Sequence, residues 1–254
     1  MPIGCAASSN DLSTGSGLLQ QSVLELEDYL FAGFADRDEE QLPAITNSLA
    51  GYTGRLVVSA PYVDLNPASP DVLIRSAARQ RFEQACRFSL AIGANDIVFL
   101  STYLPFIALD FYDEDWLERS IAFWQGFIEA SHPDLTFILT NTFEFHPGFL
   151  VSLAEQLNCS KFRLGFDLGH FLVYSKISLE TWVEAVKPWC HLVYVHSNDG
   201  ARDTHDAPGE GKLTREMFSH VAAELGKDVI FLAKQCDKTK SGASIDWMQR
   251  SMRT

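Results

Sequence analysis

The sequence predicts an α/β protein, a single (β/α)8 barrel of the TIM type that spans residues 1–254. Its length of 254 residues is typical of such a barrel. Short apolar runs alternate with amphipathic stretches from one end of the chain to the other. Most of these runs lack polar alternation, as expected for parallel strands that are covered on both faces. Alternating strands and helices build right-handed βαβ units, and eight such units fit a closed barrel.

Eight segments have the composition of buried strands, rich in Val, Ile, Leu and Phe. They are Pro2–Ala7, Ser22–Leu26, Arg55–Ala60, Asp96–Leu100, Thr136–Thr140, Phe162–Phe166, His191–His196 and Asp228–Ala233. Five intervening segments carry apolar residues at helical spacing, namely Asp71–Ile92, Asp115–Ala130, Pro147–Leu157, Ser178–Val186 and Thr214–Leu225. The first βα unit is weak, because only a short polar link, Asn10–Ser22, joins its strands.

The alternative to a barrel is an open, doubly wound sheet that binds a dinucleotide. Such a sheet needs a glycine-rich phosphate turn directly after its first strand. The candidate, Thr14–Gly15–Ser16–Gly17, does not follow the strand in the required way. The pattern therefore favours the barrel, and the lack of a low-complexity linker predicts one domain.

Composition narrows the classes of partner. The formal net charge is −13, which opposes nucleic-acid binding because a binder must neutralise phosphates with Lys and Arg. No apolar run approaches the ~18 residues of a membrane span, and the first residues lack the pattern of a secretory signal. The five cysteines show no CxxC spacing. We therefore expect a cytoplasmic protein with reduced thiols, a small-molecule substrate and no membrane or nucleic-acid partner; the sequence allows a homodimer.

Histidines and aspartates concentrate at the ends of the sixth and seventh strands. Asp167 and His170 follow strand six, His196 ends strand seven, and Asp203 and His205 lie in the loop after it. In a barrel the carboxyl ends of the strands form the catalytic face. Carboxylate oxygen and imidazole nitrogen suit a divalent metal such as zinc or manganese. The other interpretation, hydrogen-bonded histidines without a metal, stays open from spacing alone.

Several motifs resemble those of the xylose isomerase-like barrel family. They are FDLGH at 166–170, VYVHSNDG at 193–200 and ARDTHDAPGEGKL at 201–213, with weaker likeness at 59–66, 92–100 and 138–144. The family includes sugar epimerases and isomerases, inosose dehydratases and endonuclease-IV-like repair enzymes. The resemblance implies a metal-dependent isomerase or epimerase that acts on a small sugar, polyol or hydroxy-carbonyl compound. It also assigns the five residues above as metal ligands.

The chain departs from the family pattern at two glutamates that serve there as metal ligands and as the proton-transfer pair. Thr140 stands before Asn141 where the family has the first Glu, and Ala233 or Lys234 stands in place of the second. We expect Ala233 to be the aligned, inward-facing position. Lys234 is a candidate catalytic base if its pKa is depressed. Otherwise, if it faces inward, it is an ammonium near Asp167 that replaces a metal's positive charge.

Three further residues are candidates for the site. Glu144 could supply a carboxylate from the loop after strand five, although a surface position is the simpler expectation. Asn141 and Arg202 are candidate substrate-binding residues, Arg202 for a carboxylate or phosphate. The histidines of the repair enzymes are absent at Ser59 and near Leu100. The alternatives are a metal-dependent hydrolase related to apurinic endonucleases, favoured by the intact set His170, Asp203 and His205, and a non-catalytic ligand-binding barrel.

Overall fold

Eight parallel strands close into a barrel in sequence order, with the first strand paired to the last. The structure is a computed structural model that describes residues 1–12, 17–130 and 134–253. The strands are β1 Ile3–Ala7, β2 Val23–Leu26, β3 Arg55–Ser59, β4 Asp96–Leu100, β5 Thr136–Thr140, β6 Phe162–Asp167, β7 Cys190–Val195 and β8 Ile230–Ala233. The prediction of a (β/α)8 barrel is confirmed. The largest difference in a strand boundary is at β8, which begins at Ile230 rather than Asp228.

Helices surround the barrel. In the described part of the chain they are α1 Ser9–Leu12, α2 Ala32–Ala35, α3 Asp38–Ser48, α4 Val72–Ala91, α5 Tyr112–Ala130, α6 Gly148–Leu157, α7 Leu168–Tyr174, α8 Leu179–Val186, α9 Arg215–Leu225 and α10 Ser241–Ser251. The Ser178 and Thr214 hydroxyls cap α8 and α9 by accepting from backbone N–H groups. The weak first unit contains only α1 and the 3-10 turn Leu18–Gln20. Of the candidate phosphate turn Thr14–Gly17, residues 14–16 lie outside the described residues. None of the helices described is both long and apolar enough to cross a bilayer.

Two large apolar clusters form the core, and a third, small one consists of Ala68, Tyr103 and Trp116. The larger of the two large clusters fills the layer between the strands and the helices. The other fills the inside of the barrel, with residues from six strands: Val23, Val57, Val98, Ile138, Leu192, Tyr194, Ile230 and Leu232. At Gly4 of β1, a Cβ would lie 1.8 Å from the Val23 carbonyl oxygen, so the close approach of β1 and β2 requires glycine there.

Strand alternation decides which side chains reach the mouth of the barrel. Ile230 and Leu232 of β8 lie inside the barrel, whereas Ala233 packs in the outer layer. Lys234 follows in the same alternation and points inward. The expectation that Ala233 is the inward position is therefore wrong, because the even-numbered residues of β8 are the ones that fill the interior.

The amino-terminal end of the barrel carries a separate polar group. Buried Asp96 accepts hydrogen bonds from Arg55 at Nη2, 2.8 Å away, and contacts His191 Nε2 at 3.1 Å. His191 therefore lies at the opposite end from the carboxyl-terminal mouth, as its place at the start of β7 predicts.

Candidate active site

The turn from β6 into α7 holds Asp167 and His170 together. Asp167 is the N-cap of α7 and accepts the His170 backbone N–H at 2.9 Å. The Asn141 side chain fixes the same turn from β5: its Oδ1 accepts from the Asp167 N–H at 2.8 Å, and its Nδ2 donates to the Asp167 carbonyl at 3.1 Å. A capping aspartate followed at N3 by histidine thus presents both side chains to the mouth.

The loop after β7 folds back over the same mouth. His196 directly follows β7, and a two-way backbone bridge between Ser197 and Asp206, 2.8 Å in each direction, closes the loop. Asp203 and His205 lie inside this closed segment, and His205 adopts a positive φ of 50°. The His205 carbonyl accepts from the Cys236 N–H at 2.9 Å, which fastens the loop to the segment after β8.

Four of the five predicted metal ligands converge on one point. His170, His196, Asp203 and His205 each offer a ligand atom, and these atoms all lie within 4.8 Å of one another. We call these four residues the histidine cluster. The Oδ2 of Asp203 lies 3.1 Å from Nε2 of both His170 and His205. Asp167 lies outside the group and instead accepts from His196 Nε2 at 2.8 Å.

The hydrogen bonds of the histidine cluster leave a set of acceptors facing one another. Nδ1 of His170 contacts the Asn141 carbonyl at 2.8 Å, and Nδ1 of His205 contacts the Lys234 carbonyl at 2.7 Å. A carbonyl only accepts, so each of these nitrogens carries the proton and the opposite Nε2 of a neutral ring is a lone pair. His196 donates from Nε2 to Asp167 in the same way.

When all three rings are neutral, the acceptors meet around Asp203 without a donor between them. Nδ1 of His196 and Oδ1 of Asp203 are both buried and have no hydrogen-bond partner among the residues that the structure describes, and they are 3.7 Å apart. Neutral imidazole nitrogens and a carboxylate oxygen repel each other at such distances unless a proton or a cation lies between them. The four residues therefore fit a divalent metal, with each imidazole oriented through its other nitrogen, as is usual for metal-binding histidines.

Charge coupling within the cluster is strong. Burial raises the pKa of Asp167 and of Asp203, but the neighbouring histidines outweigh burial and hold both well below the usual range. Burial lowers the pKa of His170, but Asp167 and Asp203 outweigh burial and raise it to about 9. The pKa of His196 is lowered, chiefly by burial. Without a metal, the carboxylates are thus ionised and His170 carries the proton that replaces a cation.

The opposite side of the mouth carries a second polar group around Lys234. Its Nζ lies 3.0 Å from Glu25 Oε1, 3.2 Å from Glu27 Oε1 and 3.2 Å from Ser59 Oγ, and it stands 4.2 Å from the centre of the Tyr194 ring. The hydroxyls of Ser59 and Tyr194 also donate to Glu25 Oε1. We call these five residues the lysine wall.

A cavity of about 410 Å³ separates the two groups. The histidine cluster reaches it through His170, Asp203 and His205, together with Asp167, and the lysine wall through Glu27, Ser59, Tyr194 and Lys234. Apolar and aromatic residues complete the lining, among them Leu30, Tyr62, Leu100, Phe143 and Tyr174. A small polar molecule in this cavity would contact both groups at once.

The family model of the xylose isomerase-like TIM barrel matches residues 24–251 of this chain. The chain belongs to the xylose isomerase-like TIM barrel family. A crystal structure of a D-tagatose 3-epimerase-like protein is similar at 19% identity with a TM-score of 0.82, covering 100% of this chain and 97% of that one. The TTHB071 protein from Thermus thermophilus, soaked with ZnCl2, is similar at 21% identity with a TM-score of 0.71, covering 99% and 98%.

A curated relative is the Uncharacterized protein MJ1311 of Methanocaldococcus jannaschii. It is 22% identical over 185 residues, which are 70% of this chain and 63% of that protein. This match thus spans less than two thirds of the relative's length. The two solved structures share the fold with this chain at identities too low to carry its chemistry.

Lys234 differs from its expected setting. It is paired with Glu25 and Glu27 rather than with Asp167. Burial lowers its pKa, but these two carboxylates outweigh burial and raise the pKa above the usual value. Lys234 is therefore an ammonium at neutral pH, and the condition set for its role as a base, a depressed pKa, is not met.

The remaining predicted residues lie off the cavity. Glu144 is 2% exposed, so the expected surface position is wrong; its Oε2 accepts from the Thr142 N–H at 2.5 Å, and burial raises its pKa. The side chain of Asn141 is occupied by the Asp167 backbone, which makes it a positioning residue rather than a substrate ligand. Arg202 is exposed on the loop after β7 and does not line the cavity described above.

Sequence reasoning missed Glu25, Glu27 and Tyr194. A signal for Glu25 was present, because it shares the inward phase of β2 with Val23 in an otherwise apolar strand. A carboxylate in the interior of a buried strand needs a partner of opposite charge. That partner, Lys234, lies 209 residues away in the sequence, and only closure of the barrel brings the two together.

Proposed function

We propose that this protein is a metal-dependent isomerase or epimerase that acts on a small sugar, polyol or related hydroxy-carbonyl compound. One observation carries the proposal: three imidazoles and one carboxylate meet, acceptor to acceptor, at the edge of a cavity whose other side holds a fixed ammonium. Membership of the family and the likeness to a D-tagatose 3-epimerase-like protein support it.

The histidine cluster would hold the metal, zinc or manganese. The chemistry that a divalent ion supplies in such a site is stabilisation of negative charge on a substrate oxygen. Asp167 keeps His196 in one orientation, and the Asn141 and Lys234 carbonyls do the same for His170 and His205. These contacts fix the cluster before any ligand arrives, which lowers the cost of binding.

The lysine wall supplies the complementary chemistry on the substrate's other side. Lys234 adds a positive charge next to the cavity, where it favours an oxygen that becomes negative. Burial raises the pKa of Glu27, but Lys234 and Lys238 outweigh burial and hold it below the usual range. Glu27 is therefore ionised and lines the cavity, where it can accept a hydrogen bond from a substrate hydroxyl. A carboxylate with a lowered pKa is a weak base, so we assign Glu27 to substrate orientation and not to the proton transfer of the family glutamate at Thr140.

Two measurements test the proposal. Protein purified without added metal should contain about one zinc or manganese per chain by elemental analysis. In D2O it should exchange the proton next to the carbonyl of ketoses such as D-tagatose and D-fructose, detected by NMR. Asp203→Ala should lose both the metal and the exchange, whereas His146→Ala, an exposed histidine outside the cluster, should retain both.

Hydrolysis is the second candidate, because His170, Asp203 and His205 form a complete three-residue ligand set. The net charge of −13 opposes a nucleic-acid substrate. Cleavage of an abasic duplex, without proton exchange on any ketose, would favour the hydrolase. A stable barrel that neither binds metal nor turns over either substrate would favour the third interpretation, a ligand-binding barrel without catalysis.

A further inference from the structure

The lysine wall contains two carboxylates whose charges are balanced from within the protein. Glu25 is fully buried inside the barrel, and Glu27 has 15% of its side chain exposed. Lys234 is bonded to both, and Lys238 Nζ lies 2.6 Å from Glu27 Oε2. Two carboxylates that share one ammonium, one of them fully buried, would repel each other without a cation between them.

The contacts of Lys234 use all of its donors. An ammonium has three N–H groups, and Nζ has three oxygen partners at hydrogen-bond distance, from Glu25, Glu27 and Ser59. The Tyr194 ring covers a further side of the charge. Lys234 is thus coordinated by oxygen and an aromatic face much as a bound cation would be.

Glu25 retains an unused ligand atom. Its Oε1 accepts three hydrogen bonds, from Lys234, Ser59 and Tyr194. Its Oε2 is buried and has no hydrogen-bond partner in the described part of the chain. A carboxylate oxygen in that state carries a desolvation cost that a cation would offset. The wall therefore has more capacity for positive charge than Lys234 alone uses.

We infer that Lys234 is a built-in cation that occupies a latent metal site formed by Glu25 and Glu27, and that this chain consequently binds one metal ion, at the histidine cluster. The latent site is made of oxygen ligands, two carboxylates and the hydroxyl of Ser59, so it would take a hard divalent ion such as Mn²⁺. The inference rests on the proposed function only for the ion counted at the histidine cluster.

The test is the number of Mn²⁺ ions bound per chain, measured by elemental analysis after equilibrium dialysis and by the EPR signal of free Mn²⁺. The wild-type protein should bind about one ion, and Lys234→Met, which keeps the length of the side chain, should bind about two. Lys234→Arg keeps the charge and should return the count to about one. Glu25→Gln in the Lys234→Met background should do the same, because it removes a ligand charge.

The number of additional ions that Lys234→Met binds, relative to the wild-type protein, tests this inference separately from the proposed function. A wild-type protein without metal contradicts the proposed function, but an additional ion in Lys234→Met still supports the latent site. An unchanged count in a folded Lys234→Met variant overturns the inference, with circular dichroism as the check on folding. A wild-type count of two ions that falls to one on Glu25→Gln also overturns it, and this result does not depend on the stability of any lysine variant.

Discussion

Asp167 and Asp203 should respond differently to the same substitution, Asp to Asn. Asp203 touches two other members of the histidine cluster through one oxygen, at 3.1 Å each, and its second oxygen is 3.7 Å from His196 Nδ1. Asp167 lies behind His196, 2.8 Å from its Nε2, on the side away from Asp203. The first is positioned as a metal ligand and the second as the residue that orients a ligand.

The expected magnitudes follow from these positions. Loss of a hydrogen-bonding partner behind a metal-binding histidine typically costs 10- to 100-fold in metal affinity, or roughly 1.4–2.7 kcal/mol. Asp167→Asn should fall in that range, because its amide oxygen can still cap α7 and accept from His196 while the negative charge is lost. Asp203→Asn removes a charged ligand and should weaken affinity by more than about 1,000-fold.

The assay is competition for Zn²⁺ against a chromophoric chelator at pH 7.5, with thermal unfolding to verify the fold of each variant. Equal losses in the two variants would refute the assignment, since they would mean that Asp167 binds the ion directly. No loss in either would mean that the metal binds elsewhere. His146→Ala again serves as the matched control for an exposed side chain.

Three further outcomes are expected. Because the pKa of His170 is about 9 without metal, a proton competes with the metal ion for this residue. Metal affinity should therefore rise about 100-fold between pH 6 and 8. The metal-free protein should instead lose stability, measured by urea unfolding, as pH rises from ~6.5 through ~9. A flat affinity profile would contradict this. Gly169→Ala should abolish metal binding in a folded protein, because a Cβ there would lie 1.9 Å from the His196 ring; elemental analysis of the purified variant checks it. Asp96→Asn should lower the free energy of unfolding by about 2 kcal/mol in urea melts, since buried Asp96 pairs with Arg55. It should leave the metal content unchanged, because the histidine cluster lies at the opposite end of the barrel. A simultaneous loss of metal would contradict the independence of the two ends.

The strands and most of the helices were predictable because their signals are local. A buried parallel strand such as Ile97–Phe99 reads as an apolar run wherever it lies in the chain. The turn after β6 is equally local: Asp167 caps the helix that carries His170 three residues later. The predicted and observed strand boundaries differ where a polar residue flanks the apolar run. Asp228, for example, begins the predicted last strand but precedes β8.

The orientation of β8 was not predictable from its own residues. Ile230 to Ala233 are all apolar, so alternation gives two equivalent choices. The choice is made by neighbours inside the barrel, where Ile230 and Leu232 pack with Val23 and Tyr194 of other strands. The same choice turns Lys234 towards Glu25, a contact between residues 209 positions apart.

Barrel closure also explains why the motifs alone do not make the site. Each imidazole of the histidine cluster is oriented from a different strand: His170 by the Asn141 carbonyl after β5, His196 by Asp167 at the end of β6, and His205 by the carbonyl of Lys234 after β8. Two of these partners are backbone atoms, which no substitution of a side chain removes directly. The site thus depends on the relative positions of three strands, and Lys234 joins its two sides, since its carbonyl orients a metal ligand while its ammonium neutralises the opposite wall.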